Sequence, residues 1–559
     1  MNPSLIRLRR NTLRLAVVLA VLFFAAFRAM DPAAAEYAEI EGSGSTWAYT
    51  IIQQWVADVS AQGMQITFNN NGSSQGRKDF SNYVTDFADS DIPYQGIDPV
   101  THQSDASSRP YAYLPVVAGG TALTYQLHVA GKLVTNLRLS GETIAKIFTN
   151  KITNWNDPEI TKENGGIALP SLPITPVVRS DGSGATAQFT LWMGKEYPSI
   201  WGPYNGGDTG LTSIYPRSGR QIAASGDDGV MNTVDSAAGN GDIGYAEYSY
   251  PLNAHYPVAY VENPDGYFVQ PTQYNVAVAL TQAKINGCSA NGTCSPNGLN
   301  PNTYLTQNLD DVYTYKDARS YPISSYSYMI IPTSSTDQRM TAAKRQTLAD
   351  FLSYSLCTGQ SKAGPYGYSP LPLNLVKASF TQIEKLGPQA SPSPVAGVSI
   401  KNPSANLATC DNPTFVKGNL AANHLAQVAP LPLACQKATA QPCGDAAVAP
   451  GTTTQAGNGS NSSAATGGSG SGTTSGTAGT GGAGTTDPGS SGTTVDPGSG
   501  GTTLGATTAA SVTPTAIELS AQRDGQNKLF GVVAVVELIV IVLLPGVYVA
   551  WIRRRRGAP

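Results

Sequence analysis

Apolar and polar positions first fall into register at "TWAYTIIQQWVADVSAQG", where Trp47, Ile51, Ile52, Trp55, Val56 and Val59 recur at the spacing of one helix face and Gly63 lies beyond the end. The five residues "MQITF" then alternate with a period of two, the mark of a half-buried strand. "GSSQGRKDFSNYV" follows as a helical segment, and "LPITPVV" reads as a strand running into "VVRSDGSGATAQF". Strand-like and helix-like segments keep alternating from Glu36 to about Gln389, which predicts α/β layers rather than an all-β sandwich.

Outside that region the pattern changes. The N-terminus places Arg7, Arg9, Arg10 and Arg14 before an apolar run from Leu15 to Phe27 and a small-residue site at Ala33 to Ala35, the order of a secretory signal peptide over 1–35. No cysteine precedes Cys288, so no lipobox is present. Residues 390–445 read as a Pro- and Ala-rich, Cys-containing extension. From 446 to 525 Gly, Ser and Thr dominate, a composition that buries no core and gives a linker with a reach of roughly 50 Å. Its Ser and Thr are candidate O-glycosylation positions. Leu529 to Ile552 is apolar except for Glu537, long enough for one transmembrane helix, and Arg553 to Arg556 place the basic tail 553–559 in the cytoplasm. Glu537 is read first as an interfacial residue and second as a contact to a partner helix.

Composition narrows the function. Charged residues make up 13% and the net charge is −3, with no basic stripe, so no nucleic acid partner is expected. The four histidines, His102, His128, His255 and His424, show no metal-binding spacing, and no cofactor is called for. The cysteines Cys288, Cys294, Cys357, Cys410, Cys435 and Cys443 are even in number and lie in an exported chain, which favours disulfides. Six cysteines admit 15 pairings. Proximity favours Cys288–Cys294 and Cys435–Cys443, leaving Cys357–Cys410, but spacing alone does not decide it.

The chemistry concentrates in small-residue loops that open helices. Gly42 to Thr46 form one such loop, placing hydroxyls and free N–H groups at a helix start. "NNNGSSQGRKDF" forms a second, with Ser73 or Ser74 placed to cap the next helix. "RSDGSG" before "ATAQF" is a third, and it carries Arg179. Each is suited to an anion at the positive end of a helix dipole. "VTDFADSDIPY" crowds Asp86, Asp89 and Asp91 into a short segment. A carboxylate beside an anion repels it unless the anion still has a proton to donate, a condition that hydrogen phosphate meets and sulfate does not.

Taken together and in order, "GSGSTW", "NGSSQG", "DFADSD", "VVRSDGSGATAQF" and "GDIGYAEYSY" resemble the phosphate-binding protein of high-affinity phosphate ABC transporters, with lesser matches at "TIAKIFTNKITNWNDPEI", "GDDGV" and "YPISSYSYMII". The resemblance covers roughly Glu36 to Gln389. It implies a two-lobed periplasmic-binding-protein-like fold of type II, with lobe I at about 36–122 and 322–389 and lobe II at about 123–321, closing over one dehydrated phosphate. It also implies a membrane permease as partner and no enzymatic activity.

Carried over by motif, the phosphate contacts are Thr46, Trp47, Ser73 and Asp91 from the first lobe, and Arg179, Ser183, Gly184 and Ala185 from the second. Arg179 would supply paired charge-assisted bonds, Ser183 its hydroxyl, and Gly184 and Ala185 their N–H groups. The family often has a hydroxyl or acidic residue where this chain has Ala185, which removes a side-chain contact and keeps the backbone donor. Relatives are usually free or anchored by N-terminal lipid, whereas this chain would hang from its C-terminal helix.

Two other functions compete. One is a membrane-tethered phosphate sensor or surface binding protein without a transport role. The other is a secreted serine hydrolase, from the G-x-S-x-G pattern of Gly72, Ser74 and Gly76, although no histidine stands in an evident triad context. For the topology, protease added to intact cells is expected to cut between Ala446 and Ile517 and release a soluble domain. Protection of that segment while a surface control protein is digested would contradict it.

Overall fold

A strand covered on both faces must be apolar throughout, and "YAYLPVVAGGTALTY" is such a run: Tyr111–Tyr125 forms a 15-residue strand buried at every position. The computed structural model, which describes residues 37–97, 102–167, 169–387, 407 and 410–443, builds one eight-stranded sheet around it. In chain order the strands are β1 (Ile40–Gly44), β2 (Ile66–Asn69), β3 (Phe87–Ser90), β4 (Tyr111–Tyr125), β5 (Thr175–Arg179), β6 (Ile222–Ala224), β7 (Asp242–Glu247) and β8 (Ser324–Pro332). Their order across the sheet is β6-β5-β7-β4-β8-β3-β1-β2.

The sheet has two different halves joined by β4. Its first part, Tyr111 to Gly120, pairs antiparallel with β8, which pairs antiparallel with β3, and β1 then lies parallel to both β3 and β2. The second part, Thr121 to Tyr125, pairs antiparallel with β7, and β5 lies parallel to both β7 and β6. Helices α1 (Tyr49–Ser60), α2 (Ser73–Ser81), α3 (Gly141–Phe148), α4 (Gly184–Glu196), α5 (Gly226–Val234), α6 (Ala342–Leu356) and α7 (Leu373–Ile383) are the main helical elements around this sheet. The expected α/β layering is thus observed.

Local patterning accounts for the elements nearest the site. In α1, Ile51, Ile52, Trp55 and Val59 are buried on one face, as their spacing predicts, and the helix stops three residues before Gly63, which has φ 87°. Met64 and Phe68 are buried with exposed Gln65 and Thr67 between them, the period of two expected of "MQITF".

Two expectations need correction. Gly42 to Gly44 belong to β1 and not to the loop, and at positions 42 and 44 only glycine fits. A Cβ on Gly42 would meet the Phe87 ring at 2.3 Å, and Gly44 sits at φ 139° against the Asp89 carbonyl. Ser73 and Ser74 do not cap α2: the N-cap is Gly72 at φ 93°, and the helix has no side-chain cap bond.

Cysteines close three loops, Cys288–Cys294, Cys357–Cys410 and Cys435–Cys443, the pairing that proximity favours. Described residues of the 390–445 extension pack back onto the domain. Asn412 Nδ2 and Thr414 Oγ1 donate to the Leu371 carbonyl at 3.0 and 2.7 Å, and Arg138 Nη1 donates to the Ala440 carbonyl at 3.0 Å. The expected signal peptide, the linker, the transmembrane helix over 529–552 and the basic tail lie outside the described residues. Among the described residues no helix is long and apolar enough to cross a membrane.

All six cysteines are paired, so alkylation without reduction is expected to add no label to the purified chain; uptake of two or more labels would contradict it. The chain-entropy model ranks the bridges by loop length. Cys357–Cys410, with 53 residues of separation, stabilises by about 4 kcal/mol, and Cys288–Cys294, with 6, by about 2 kcal/mol. Replacing Cys357 and Cys410 together with Ser should therefore lower the melting temperature more than replacing Cys288 and Cys294, as read by differential scanning calorimetry.

Candidate functional site

In α/β sheets the carboxyl ends of parallel strands leave backbone groups and loop side chains free for a ligand. Here the ends of β1 and β3 in one half of the sheet and of β5 and β7 in the other converge. From the first half, Ser45 follows β1 and donates its hydroxyl to both Asp91 oxygens, Oδ1 at 2.7 Å and Oδ2 at 2.9 Å. Ser73 Oγ, at the start of α2, donates to Asp91 Oδ2 at 3.1 Å, and Ser327 Oγ of β8 donates to Asp91 Oδ1 at 2.6 Å. Asp91 is 2% exposed and collects three hydroxyls from three separate elements.

From the second half, Arg179 ends β5 and is 2% exposed. Its guanidinium makes a two-pronged pair with Asp181, with Nε to Oδ1 at 2.8 Å and Nη2 to Oδ2 at 2.5 Å, and its Nη1 donates to Asp227 Oδ2 at 2.5 Å. Ser183 caps α4, accepting from Thr186 N at 3.1 Å, so the first N–H groups of that helix, including those of Gly184 and Ala185, lie at its positive end. Asp227 occupies the first turn of α5, and its Oδ1 accepts from Glu247 N at 2.8 Å.

The two halves meet at these loops. Thr46 Oγ1 donates to Asp227 Oδ2, Tyr250 OH to the Thr46 carbonyl at 2.5 Å, Ser74 N to the Gly182 carbonyl at 3.0 Å, and Gln188 Nε2 to the Asp91 carbonyl at 2.8 Å. Gly184 shows how close the approach is. A Cβ there would stand 2.4 Å from Asp91 Oδ2 and 2.6 Å from Ser73 Oγ, so the N-terminus of α4 abuts the Asp91 carboxyl only because position 184 has no side chain.

Charge is the dominant property of the seam. Asp89, Asp91, Asp227 and Glu247 are each at most 2% exposed, and Arg179 is the cation among them. Burial pushes the Asp89 carboxyl well up, and the neighbouring Asp91 adds to this. Burial also raises Asp91, against the donated bonds of Ser327 and Ser45, and the charge of Asp227 raises it further. Glu247 is raised well above its usual range, again chiefly by burial. Asp89 Oδ2 and Glu247 Oε1 have no hydrogen-bond partner among the described residues. Burial works against the Arg179 charge, but Asp227 and Asp181 outweigh it and hold the guanidinium proton more tightly than usual. Such a site has hydroxyl donors, helix N–H groups, one fixed cation and a buried acceptor, which is the equipment to hold a protonated oxyanion.

The expected site residues are largely gathered. Thr46, Ser73, Asp91, Arg179, Ser183, Gly184 and Ala185 line the seam. The Trp47 side chain does not join them: its ring is 1% exposed and packs edge-on against Tyr368 at 5.9 Å between centroids. Of the aspartates in "DFADSD", Asp86 turns away to Lys344 and Arg339, both at 2.9 Å. Ser45, Asp181, Asp227, Glu247 and Ser327 belong to the network and were not singled out from sequence. All five sit inside segments that carry the resemblance, and Ser327 reaches Asp91 across 236 residues, a pairing with no local signal. Ser74, the nucleophile of the hydrolase reading, accepts from Arg77 Nη2 at 3.4 Å, a cation that cannot take its proton.

A family model described as a PBP superfamily domain matches residues 29–358. The phosphate-binding protein PstS of Xylella fastidiosa (strain Temecula1) is 30% identical over 342 residues, covering 61% of this chain and 83% of that protein. The phosphate-binding protein PstS 2 of Mycobacterium tuberculosis is 31% identical over 343 residues, covering 60% and 83%. A solved phosphate-binding protein from Stenotrophomonas maltophilia is 18% identical, covering 61% of this chain and 92% of that one, with a TM-score of 0.44. By the family model and by relatives at this level of identity, the chain belongs to the PBP superfamily, in the family of the phosphate-binding proteins PstS.

Proposed function

We propose that the chain binds hydrogen phosphate at the seam between the two halves of its sheet and delivers it to the membrane permease of an ABC transporter, as a binding protein without catalytic activity. The observation that carries this reading is the Asp91 carboxyl, buried, held by Ser45, Ser73 and Ser327, and faced by the N-terminus of α4. Arg179 supplies the fixed positive charge. Thr46, Ser73 and Ser183 supply hydroxyls, and Trp47, Gly184 and Ala185 supply N–H groups. The protein acts outside the cytoplasm, exported by the signal peptide over 1–35 and tethered by the apolar segment over 529–552.

Selectivity follows from protonation. Phosphate and sulfate are both tetrahedral and similar in size, so shape separates them poorly. Hydrogen phosphate donates its proton to Asp91, whereas fully ionised sulfate sets two like charges at hydrogen-bond distance, a contact that costs about 5 kcal/mol at an effective dielectric of ~20. The folded site needs no new group to discriminate, only a carboxylate that stays unprotonated and dry.

Calorimetric titration of the full chain with phosphate, arsenate and sulfate, at one pH and one ionic strength, tests this. Phosphate and arsenate should bind far more tightly than sulfate. Asp91→Asn should narrow that gap, because an amide carries no charge and can donate to a sulfate oxygen. Arg179→Ala should weaken every anion, by about 2–5 kcal/mol for loss of a buried ionic partner. Equal affinity of the wild type for sulfate and phosphate, or an undiminished preference in Asp91→Asn, would overturn the role of Asp91. A wedge supplies a separate check: Gly184→Ala puts a methyl within 2.6 Å of both Asp91 and Ser73, so phosphate affinity should drop at least ~10-fold while the circular dichroism spectrum is unchanged.

A further inference from the structure

Asp227 accepts from the two donors that a bound phosphate would need most. Its Oδ2 takes the Thr46 hydroxyl and the Arg179 Nη1 proton, and its Oδ1 takes the Glu247 N–H at 2.8 Å. Arg179 Nη1 and the Glu247 N–H can only donate and the Thr46 hydroxyl donates beside them, so the geometry favours the carboxylate, an anion of the protein itself seated among the donors of the anion site, against a burial that raises its pKa. It is 0% exposed and fixed from behind by the backbone of β7, so swinging it aside would break the Glu247 contact and leave a buried N–H unpaired.

The groups around Asp227 leave one way to accommodate a second anion. Arg179 faces it from β5, Asp181 from the loop after β5, Asp91 from the end of β3, and Glu247 and Tyr250 from the end of β7 and the helix after it. Arg179 is the cation in this set and already serves Asp181. An incoming phosphate oxygen that takes the Thr46 and Arg179 donors comes to lie beside Asp227 Oδ2. Two oxygens at that distance tolerate each other only with a proton between them.

Resting on the phosphate reading above, we infer that Asp227 is a second acidic specificity residue that makes phosphate binding proton-linked: it holds the Arg179 and Thr46 donors in the empty seam and admits phosphate with uptake of one proton from solvent. The proton is shared between Asp227 Oδ2 and the adjoining phosphate oxygen, so it offsets one of the two charges of the incoming dianion and the occupied site is one unit more negative than the empty one. Asp91 keeps its separate role as acceptor of the ligand's own proton. The site is thereby matched to phosphate carrying one more proton than the dianion, while discrimination against sulfate stays with Asp91.

The test is proton counting by calorimetry on the full chain near pH 8, where free phosphate is mostly dianion, in two buffers of different ionisation enthalpy. Wild type should take up about one proton per phosphate bound, and Asp227→Asn close to none. The variant should also bind phosphate about tenfold more tightly than wild type near pH 8, with the difference closing toward pH 6 as the wild-type proton becomes easier to supply. Asp228→Asn, a change at the exposed neighbour on the same helix, should behave as wild type. Tight phosphate binding by wild type with no proton uptake overturns this inference and leaves the phosphate reading standing. Uptake that persists in Asp227→Asn overturns the assignment to Asp227. Absence of phosphate binding by wild type at any pH overturns the phosphate reading and this inference with it. If Asp227→Asn melts before titration, the wild-type count decides whether binding is proton-linked, and Asp227→Ser, which removes the same carboxyl, decides the assignment by loss or persistence of the uptake.

Discussion

The arrangement depends on one buried cation held among several buried acids. Arg179 is desolvated at the end of β5, and an unpaired guanidinium there would be expensive, so Asp181 and Asp227 close on it from two sides. Those carboxylates in turn recruit the neighbouring elements: Asp181 Oδ1 accepts from Gly226 N at 3.0 Å, and Asp227 reaches Thr46 in the other half of the sheet. One charge therefore organises the loop after β5, the start of α5 and the loop after β1. A buried ionic cluster of this kind contributes little net stability, but its geometry is demanding, and breaking it leaves charges without partners.

Around this cluster the rest of the molecule acts as a rigid frame. β4 and β8 run antiparallel through the middle of the sheet, and because β4 is buried at all 15 positions it belongs to both halves at once. The loops that make the site leave strands on either side of it, so their separation is set by the packing of the sheet and not by the loops themselves. The Cys357–Cys410 bridge and the hydrogen bonds from Asn412, Thr414 and Arg138 bind the chain after α7 to this frame. Precision at Asp91 is thus inherited from distant packing: Ser45, Ser73 and Ser327 each reach it from a different element.

Much of this was legible in the amino-acid sequence, and for identifiable reasons. Helix α1 and strand β2 follow from local rules of periodicity, which need only a few neighbouring residues. Proximity in sequence favoured the disulfide pairing without deciding it. The loop that carries Arg179 was readable as suited to an anion because an arginine followed by a glycine-rich turn and a helix is a contiguous signature, whereas Ser183 and Gly184 were named individually from the family resemblance. The errors also have local causes. Glycines normally signal a loop, but Gly42 and Gly44 stay in β1 because the Phe87 ring and the Asp89 carbonyl press on them. Ser73 is a good cap residue whose hydroxyl finds a buried carboxylate instead.

Composition and short-range order thus determined the α/β class and a loop set suited to an anion. The tertiary structure decided which acids share the seam, that the Trp47 ring belongs to the core, and that Asp227 answers both Arg179 and Thr46. Those outcomes rest on contacts between residues far apart in sequence, such as Ser327 with Asp91 and Thr46 with Asp227, 236 and 181 positions away. Hydrophobic periodicity encodes which face of an element is buried, but the partner that a buried charge meets is set only when the elements pack.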